Sequence, residues 1–290
     1  MNEYVIFTDS ACDLPETTLK EWGVPYTCLT FRFDGSDKEY SNYELGTKEF
    51  YKRMIDGEVA KTSATNVDTF KKAFEPYLKE GKDILYVGFS SGLSTTVNSG
   101  RLAAEELKED YPDRKIMVID TLCASAGQGL AVYLAVQKKN EGASIEDNAA
   151  YMLDVTRRIS HWFTVDDLVY LKRGGRVSAA SAVVGGLLGI KPVLYVNNEG
   201  KLIKFNTTRG RKNSLSALVD KIGEECADPK STTIFISNGD CMDDVEYMRK
   251  EIKNKYGVKV TNVSDIGPVI GAHSGPKTLA LFYVADKPHN

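Results

Sequence analysis

The sequence predicts an α/β protein built from two α/β domains, and three observations lead there. Short apolar, β-branched runs alternate with stretches of helical period from one end of the chain to the other. The strand-like runs are apolar nearly throughout, as parallel strands covered on both faces are. The length of 290 residues exceeds one average domain and falls short of three.

The first strand is the run from Tyr4 to Phe7, followed by a helix opened by Leu14-Pro15 and reaching Trp22. A strand from Tyr26 to Phe31, a helix from Val67 to Lys79, a strand from Ile84 to Phe89, a helix from about Val97 to Glu109 and a strand ending at Asp120 continue the alternation. Helices over Ala124 to Asn140 and Ile145 to Ile159 are separated by the turn residues Glu141-Gly142. Composition then changes, with five glycines between Gly174 and Gly189, which places a junction near Ile159 to Phe163 and divides the chain into units 1-160 and 161-290. In the second unit, Asn197-Asn198-Glu199-Gly200 between β-rich runs predicts a hairpin. A helix from Asn213 to Cys226, the strand Thr232 to Ser237, a helix through Met248, the strand Val258 to Val263 and the closing segment from Gly267 complete the order.

Hydrophobic residues at 42% and charged residues at 27% describe an ordinary folded protein. A net charge of -3 argues against a general binder of nucleic acid, which needs an excess of Lys and Arg. The five cysteines show no metal-ligand spacing and fit a reduced compartment. With no window of ~18 apolar residues and no signal-like start, the expected location is cytoplasmic. Phosphate-binding and dinucleotide-binding glycine loops and zinc motifs are missing from the sequence, so no cofactor or metal is expected.

Polar residues gather where strands give way to helices. Thr8-Asp9-Ser10 follows the first strand, a place where ligands bind in open α/β sheets, although a cap on the next helix explains Asp9 or Ser10 as well. Thr62-Ser63-Ala64-Thr65-Asn66 precedes the helix at Val67, and Ser90-Ser91-Gly92-Leu93-Ser94-Thr95-Thr96 repeats that arrangement before the helix at Val97. Hydroxyls and free N–H groups at two helix starts suit an anion, a carboxylate or a phosphate, without a buried counter-charge. A cap at Thr65 or Asn66 accounts for one residue and leaves Thr62 and Ser63 unassigned.

A rival reading comes from Gly88-Phe89-Ser90-Ser91-Gly92, which matches the nucleophile elbow of α/β-hydrolases, with Asp265 and His273 following in hydrolase order. Against it stands the lack of an oxyanion segment upstream. Of three histidines, His289 is next to the end, His161 reads as structural, and His273 sits in a glycine-flanked turn where imidazole serves an anion or acts as a base. The runs Phe163 to Leu171 and Ala179 to Leu194 are apolar and small enough to line a narrow cavity, or to pack tightly. Lys172, Arg173, Arg176, Arg209, Arg211 and Lys212 form two basic groups, a docking face for an acidic partner or a solvated surface.

Taken together, the ordered motifs resemble the DegV family, which includes the fatty-acid-binding subunits of bacterial fatty acid kinase. They are Thr8 to Ser10, Thr62-Ser63, Ser90 to Ser99, Ile119 to Thr121, Val165 to Ser178, Leu187 to Pro192 and Gly267 to Pro276, nearly the whole chain. The resemblance implies two α/β domains, one long-chain fatty acid with its tail in an apolar tunnel, and its carboxylate near the domain junction. It implies Thr62 and Ser94 as direct carboxylate ligands, Ser63 and Thr95 beside them, and His273 completing the hydrogen-bond network. It further implies a non-catalytic protein that presents the carboxylate to a fatty acid kinase for acyl-phosphate formation, with Arg173 and Arg209 at docking positions and transient membrane contact for lipid exchange. The chain departs from the family pattern in Ala64-Thr65-Asn66, and in Lys277, which stands where a glycine is usual and bears on the local turn.

Overall fold

The structure, a computed structural model, describes residues 3–177 and 189–288. β1 (Tyr4–Asp9) enters a 3-10 turn (Ser10–Cys12) and α1 (Glu16–Glu21), after which come β2 (Tyr26–Thr27), β3 (Thr30–Phe33), β4 (Glu39–Ser41), α2 (Thr47–Ile55) and β5 (Ala60–Ser63). Next are α3 (Val67–Lys79), β6 (Asp83–Gly88), α4 (Thr96–Asp110), β7 (Ile116–Asp120), α5 (Ala126–Asn140) and α6 (Ile145–Val155). The remainder holds β8 (Ile159–Thr164), α7 (Val169–Arg173), β9 (Ile190–Val196), β10 (Leu202–Arg209), α8 (Arg211–Glu225), β11 (Ile234–Asn238), α9 (Met242–Tyr256), β12 (Asn262–Asp265), α10 (Pro268–Ser274) and β13 (Leu279–Val284).

These strands form a parallel sheet ordered β2-β1-β6-β7 and a mixed sheet ordered β10-β9-β8-β13-β11-β12. A small antiparallel sheet, β4-β3-β5, stands apart. The parallel strands β1 and β6 are buried at every position, which is why their sequences run apolar without alternation.

Helix starts follow local chemistry. Asn66 caps α3 by accepting the Thr69 N–H at 2.9 Å, and Ser144 caps α6 by accepting the Asp147 N–H at 3.1 Å. The expected strand from Tyr26 to Phe31 is instead two strands in two sheets, because the chain leaves the parallel sheet where Leu29 N–H donates to Ser10 Oγ at 3.0 Å. The strands of the small sheet, three or four residues long, are too short to show a period, and neither they nor the nine-residue α2 belongs to the alternation read from the sequence. The helix expected to reach Ile159 ends at Val155, and Ile159 opens β8. Of the expected strand Val258 to Val263 only Asn262 and Val263 pair with β11, and the pairing runs on to Asp265.

α5 lies between the two large sheets, against β1 and β6 on one side and β8, β11 and β13 on the other. The covered stretch Ala126 to Val132 must be slim all round, and Ala126, Gly127, Gly129 and Ala131 satisfy this, while buried Gln128 is satisfied by donating to Thr8 Oγ1 at 3.1 Å. A Cβ on Gly127 would lie 2.8 Å from the Phe282 ring, and one on Gly129 2.9 Å from the Cys12 carbonyl oxygen. The largest apolar core accordingly contains Ile6, Leu85 and Leu130 together with Phe163, Phe235 and Phe282.

A polar seam accompanies this core. Asp13 accepts the Ser125 hydroxyl at 2.6 Å and the Gly267 N–H at 3.0 Å, and Ser125 Oγ lies 2.9 Å from Ser237 Oγ. Asn42 Oδ1 accepts the Val269 N–H at 2.9 Å, and Tyr51 donates to the Ile266 carbonyl at 2.9 Å. The start of α10, late in sequence, is thereby held by residues from the first fifth of the chain. Burial without a cation pushes the Asp13 carboxyl up to about 7, against the hydrogen bonds from Ser125 and Gly267, with Asp265 nearby adding to the rise.

A carboxyl raised in the folded state stabilises the fold fully below its unfolded value near 4, and that contribution is lost as pH rises to about 7. Asp13→Asn, whose Oδ1 can still accept the Gly267 N–H while its Nδ2 donates to the Ser125 hydroxyl oxygen, should therefore remove a pH-dependent loss on the order of 4 kcal/mol between pH 4 and 7. Urea unfolding of both proteins across that range checks this. Parallel stability curves would refute the assignment.

Candidate ligand-binding site

Beyond the carboxyl ends of β6 and β7 a cavity of about 390 Å³ opens between the sheets. That volume falls within the usual size of small-molecule sites. Its apolar wall includes Leu29, Phe89, Phe163, Leu171, Val269 and Ile270, and its polar wall Thr62, Ser63, Ser91, Ser94, Thr95 and His273.

Each sequence-predicted carboxylate ligand lines this one cavity, although they arrive on separate elements. Thr62 and Ser63 end β5, where pairing with Phe31 and Thr30 fixes the strand, so they occupy a strand rather than a turn. Ser94 and Thr95 close the turn before α4; Ser94 Oγ accepts the Thr96 N–H at 3.2 Å and lies 2.9 Å from Thr96 Oγ1. His273 lies on α10 and not in a turn, because the glycine-flanked segment closes helical hydrogen bonds from Gly271 to Gly267 and from Gly275 to Gly271. Its Nε2 is 2.9 Å from Thr62 Oγ1, which joins the small sheet to α10 across the cavity. Burial, with Arg176 nearby, pushes the His273 imidazole down to about 4, so the ring is neutral at pH 7.

Gly174 sits against that ring. A Cβ there would lie 2.1 Å from His273 Nδ1, so the first glycine of the Lys172-Arg173-Gly174-Gly175-Arg176 run is required by close approach and not by a turn. Arg176 also lines the cavity, donating to the Leu93 carbonyl at 3.2 Å and the Gly174 carbonyl at 2.5 Å. Arg176 is exposed, as a surface cation is, yet of Lys172, Arg173 and Arg176 it is the one that lines the cavity, which nothing in the spacing tells. His161, read as structural, lines the cavity too and stacks on Phe282 with ring centroids 4.5 Å apart.

The hydrolase arrangement does not assemble. Ser90 is fully buried, donates to the Gly200 carbonyl at 2.9 Å and accepts the Gly92 N–H at 3.1 Å. Asp265 accepts from Thr47 at 2.8 Å and from Asn238 at 3.3 Å, while His273 Nε2 faces Thr62. The elbow motif thus serves a different purpose: the β9-β10 hairpin tip covers Ser90, and a Cβ on Gly92 would lie 2.4 Å from the Glu199 carbonyl oxygen.

Arg173 and Arg209 are exposed, at the end of α7 and the end of β10. Lys277 adopts the left-handed φ of +59° that a glycine there would take freely, and its carbonyl accepts from Arg211 at 2.6 Å. Most of the run from Ala179 to Leu194, residues 179–188, lies outside the described residues, as does His289. No group of His, Cys, Asp or Glu suited to a metal occurs among the described residues, and none of their helices is long and apolar enough to cross a membrane.

Fold and site together define a two-domain α/β protein built around a cavity with one apolar and one hydroxyl-rich wall. The chain belongs to the DegV family, whose model, described as an uncharacterised protein family, matches residues 3–286. A DegV domain-containing protein of Clostridium perfringens is 44% identical, with 99% of each chain covered. Among solved structures, a fatty acid (stearic acid)-binding protein from Eubacterium ventriosum is similar at 28% identity and a TM-score of 0.88, covering 97% of this chain and 98% of that one. A fatty-acid-binding DegV family protein from Thermus thermophilus is similar at 29% identity and a TM-score of 0.86, covering 98% and 99%.

Two outcomes follow from this geometry. Gly174→Ala should displace the His273 ring, seen as a changed imidazole NMR resonance; an unmoved resonance would contradict the packing. A fluorophosphonate probe should leave Ser90 unmodified in the folded protein, and labelling that disappears in Ser90→Ala would restore the hydrolase reading.

Proposed function

We propose that this protein binds one long-chain fatty acid, with the carboxylate at Thr62, Ser63, Ser94, Thr95 and His273 and the tail along the apolar wall. The observation that carries the reading is the convergence of four hydroxyl residues and a neutral imidazole on one cavity whose lining also includes Leu29, Phe89, Phe163, Leu171, Val269 and Ile270. Hydroxyls and imidazole N–H solvate a carboxylate by hydrogen bonds alone, and the apolar wall takes methylenes at roughly 0.8 kcal/mol each. The fatty acids named for the Eubacterium and Thermus relatives support the same class of ligand.

In this reading the units 1–160 and 161–290 close on the ligand from two sides, the first bringing the hydroxyls and the second bringing His273. The protein is a non-catalytic carrier in the cytoplasm with no cofactor of its own. It presents the carboxylate to a fatty acid kinase that approaches over exposed Arg173 and Arg209, and it exchanges lipid by transient membrane contact. Supporting this step is the exposure of both arginines.

Native mass spectrometry of purified protein should show one equivalent of a fatty acid. In Thr62→Ala/Ser94→Ala, affinity for added fatty acid should fall about tenfold or more for each lost hydrogen bond to the charged head. A double variant that retains lipid as the parent does would remove these two residues from the site.

A further inference from the structure

β7 ends the parallel sheet, and no strand among the described residues pairs with its outer side. Which groups it offers follows from the ladder. The Lys115 carbonyl accepts from Ile84 at 2.8 Å and the Thr121 N–H donates to the Gly88 carbonyl at 3.2 Å, so the odd-numbered residues bond inward to β6. Parallel pairing alternates, and the N–H and C=O groups of Ile116, Val118 and Asp120 therefore face outward. Ile116, Met117 and Val118 are all partly exposed, and a cleft of about 380 Å³ lined by Ala104, Leu107, Tyr111 and Ile116 runs beside the start of the strand. Leu153, two turns along α6 from the Glu146 that pairs with Lys115, is 57% exposed on the same stripe of its helix. The other edges of the two large sheets are blunted: β2 has two residues, β10 carries a register shift between Lys204 and Asn206, and β12 is the short polar run Asn262 to Asp265. β7 has an unbroken apolar run from Ile116 to Ile119 and no such device.

We infer that β7 is an interface at which a second copy of this chain extends the sheet by antiparallel pairing. The strand is complementary to itself. With Met117 on the two-fold axis, outward-facing Ile116 of one copy meets outward-facing Val118 of the other, twice over, and each pair exchanges N–H···O bonds. Paired residues share a face of the sheet, so Ile116 and Val118 continue the apolar layer they already join beneath α4, while the two Met117 side chains meet on the α6 side. The same register sets Arg114, held at the start of the strand by Asp83 at 3.5 Å, opposite Asp120 of the other copy at both ends. Centring the pairing on Val118 would instead bring Asp120 against Ile116 and leave Arg114 without that partner, so charge selects the Met117 register. An antiparallel union uses the edge of both copies and closes at two, and it turns the two cavities toward opposite ends of the joined sheet. This interface stands independently of the fatty-acid reading.

The test is made on the full chain by analytical ultracentrifugation over a concentration series, where the parent should show a reversible equilibrium between monomer and dimer. Val118→Pro removes an outward N–H and no bond to β6, so the dissociation constant should rise about tenfold or more for the two symmetry-related bonds lost. Met117→Cys reads the register directly and covers the case of a Pro variant that fails to fold. Facing residues at a non-hydrogen-bonded antiparallel position have Cα atoms about 4.5 Å apart, within disulfide reach. Mild oxidation should therefore cross-link Met117→Cys as a dimer and leave the parent, with its own five cysteines, free of cross-links. A parent that stays monomeric throughout would overturn the proposal. So would a dimer that Val118→Pro leaves intact, one that Met117→Cys does not cross-link, or an assembly that grows past two copies.

Discussion

The enclosure of α5 between two sheets is the constraint on which the rest of this structure depends. From Ala126 to Val132 this helix is buried at every position, and its glycines and alanines let the sheets approach closely enough to share one core. Once the sheets are held at that spacing by Gly127 against Phe282 and Gly129 against Cys12, the space beyond the strand ends is left unfilled. The cavity is the consequence of that geometry.

Polar contacts then decide how the cavity is lined. Buried Asp9 gathers the Tyr86 hydroxyl at 2.7 Å and the Phe89 N–H at 3.0 Å, fixing the turn that leads to Ser94. Asp13, Asn42 and Tyr51 hold the start of α10, and α10 in turn carries His273 to Thr62. Ser90 and Gly200 fasten the hairpin over the same turn. Thr62 is thereby tied to α10, and the turn that leads to Ser94 is fixed by buried hydrogen bonds to distant parts of the chain. Such support is what keeps a binding constellation in register.

The hydrolase motif shows how a short pattern misleads. A serine between two glycines after a strand is demanded by an exposed nucleophile, and equally by a turn that another segment must cover closely. Here the flanking Gly92 admits the Glu199 and Gly200 carbonyls, and the serine hydroxyl satisfies one of them. The same holds for Gly174, where the absence of a side chain serves the His273 ring.

What the sequence determined by itself was whatever depends on neighbours along the chain. The apolar runs of β1 and β6, the caps at Asn66 and Ser144, the hairpin at Asn197 to Gly200 and the hydroxyl clusters before α3 and α4 were legible because periodicity, capping and turn chemistry act over a few residues. The ordered motifs further named as a set Thr62, Ser63, Ser94, Thr95 and His273, which line one cavity. Tertiary structure alone decided that the run from Tyr26 splits between two sheets, that His273 rides on a helix, that Ser90 is covered, and that Arg176 of three adjacent cations faces the cavity. Each of these depends on contacts between residues tens to hundreds of positions apart, where packing and burial set the outcome and local pattern carries no record of it.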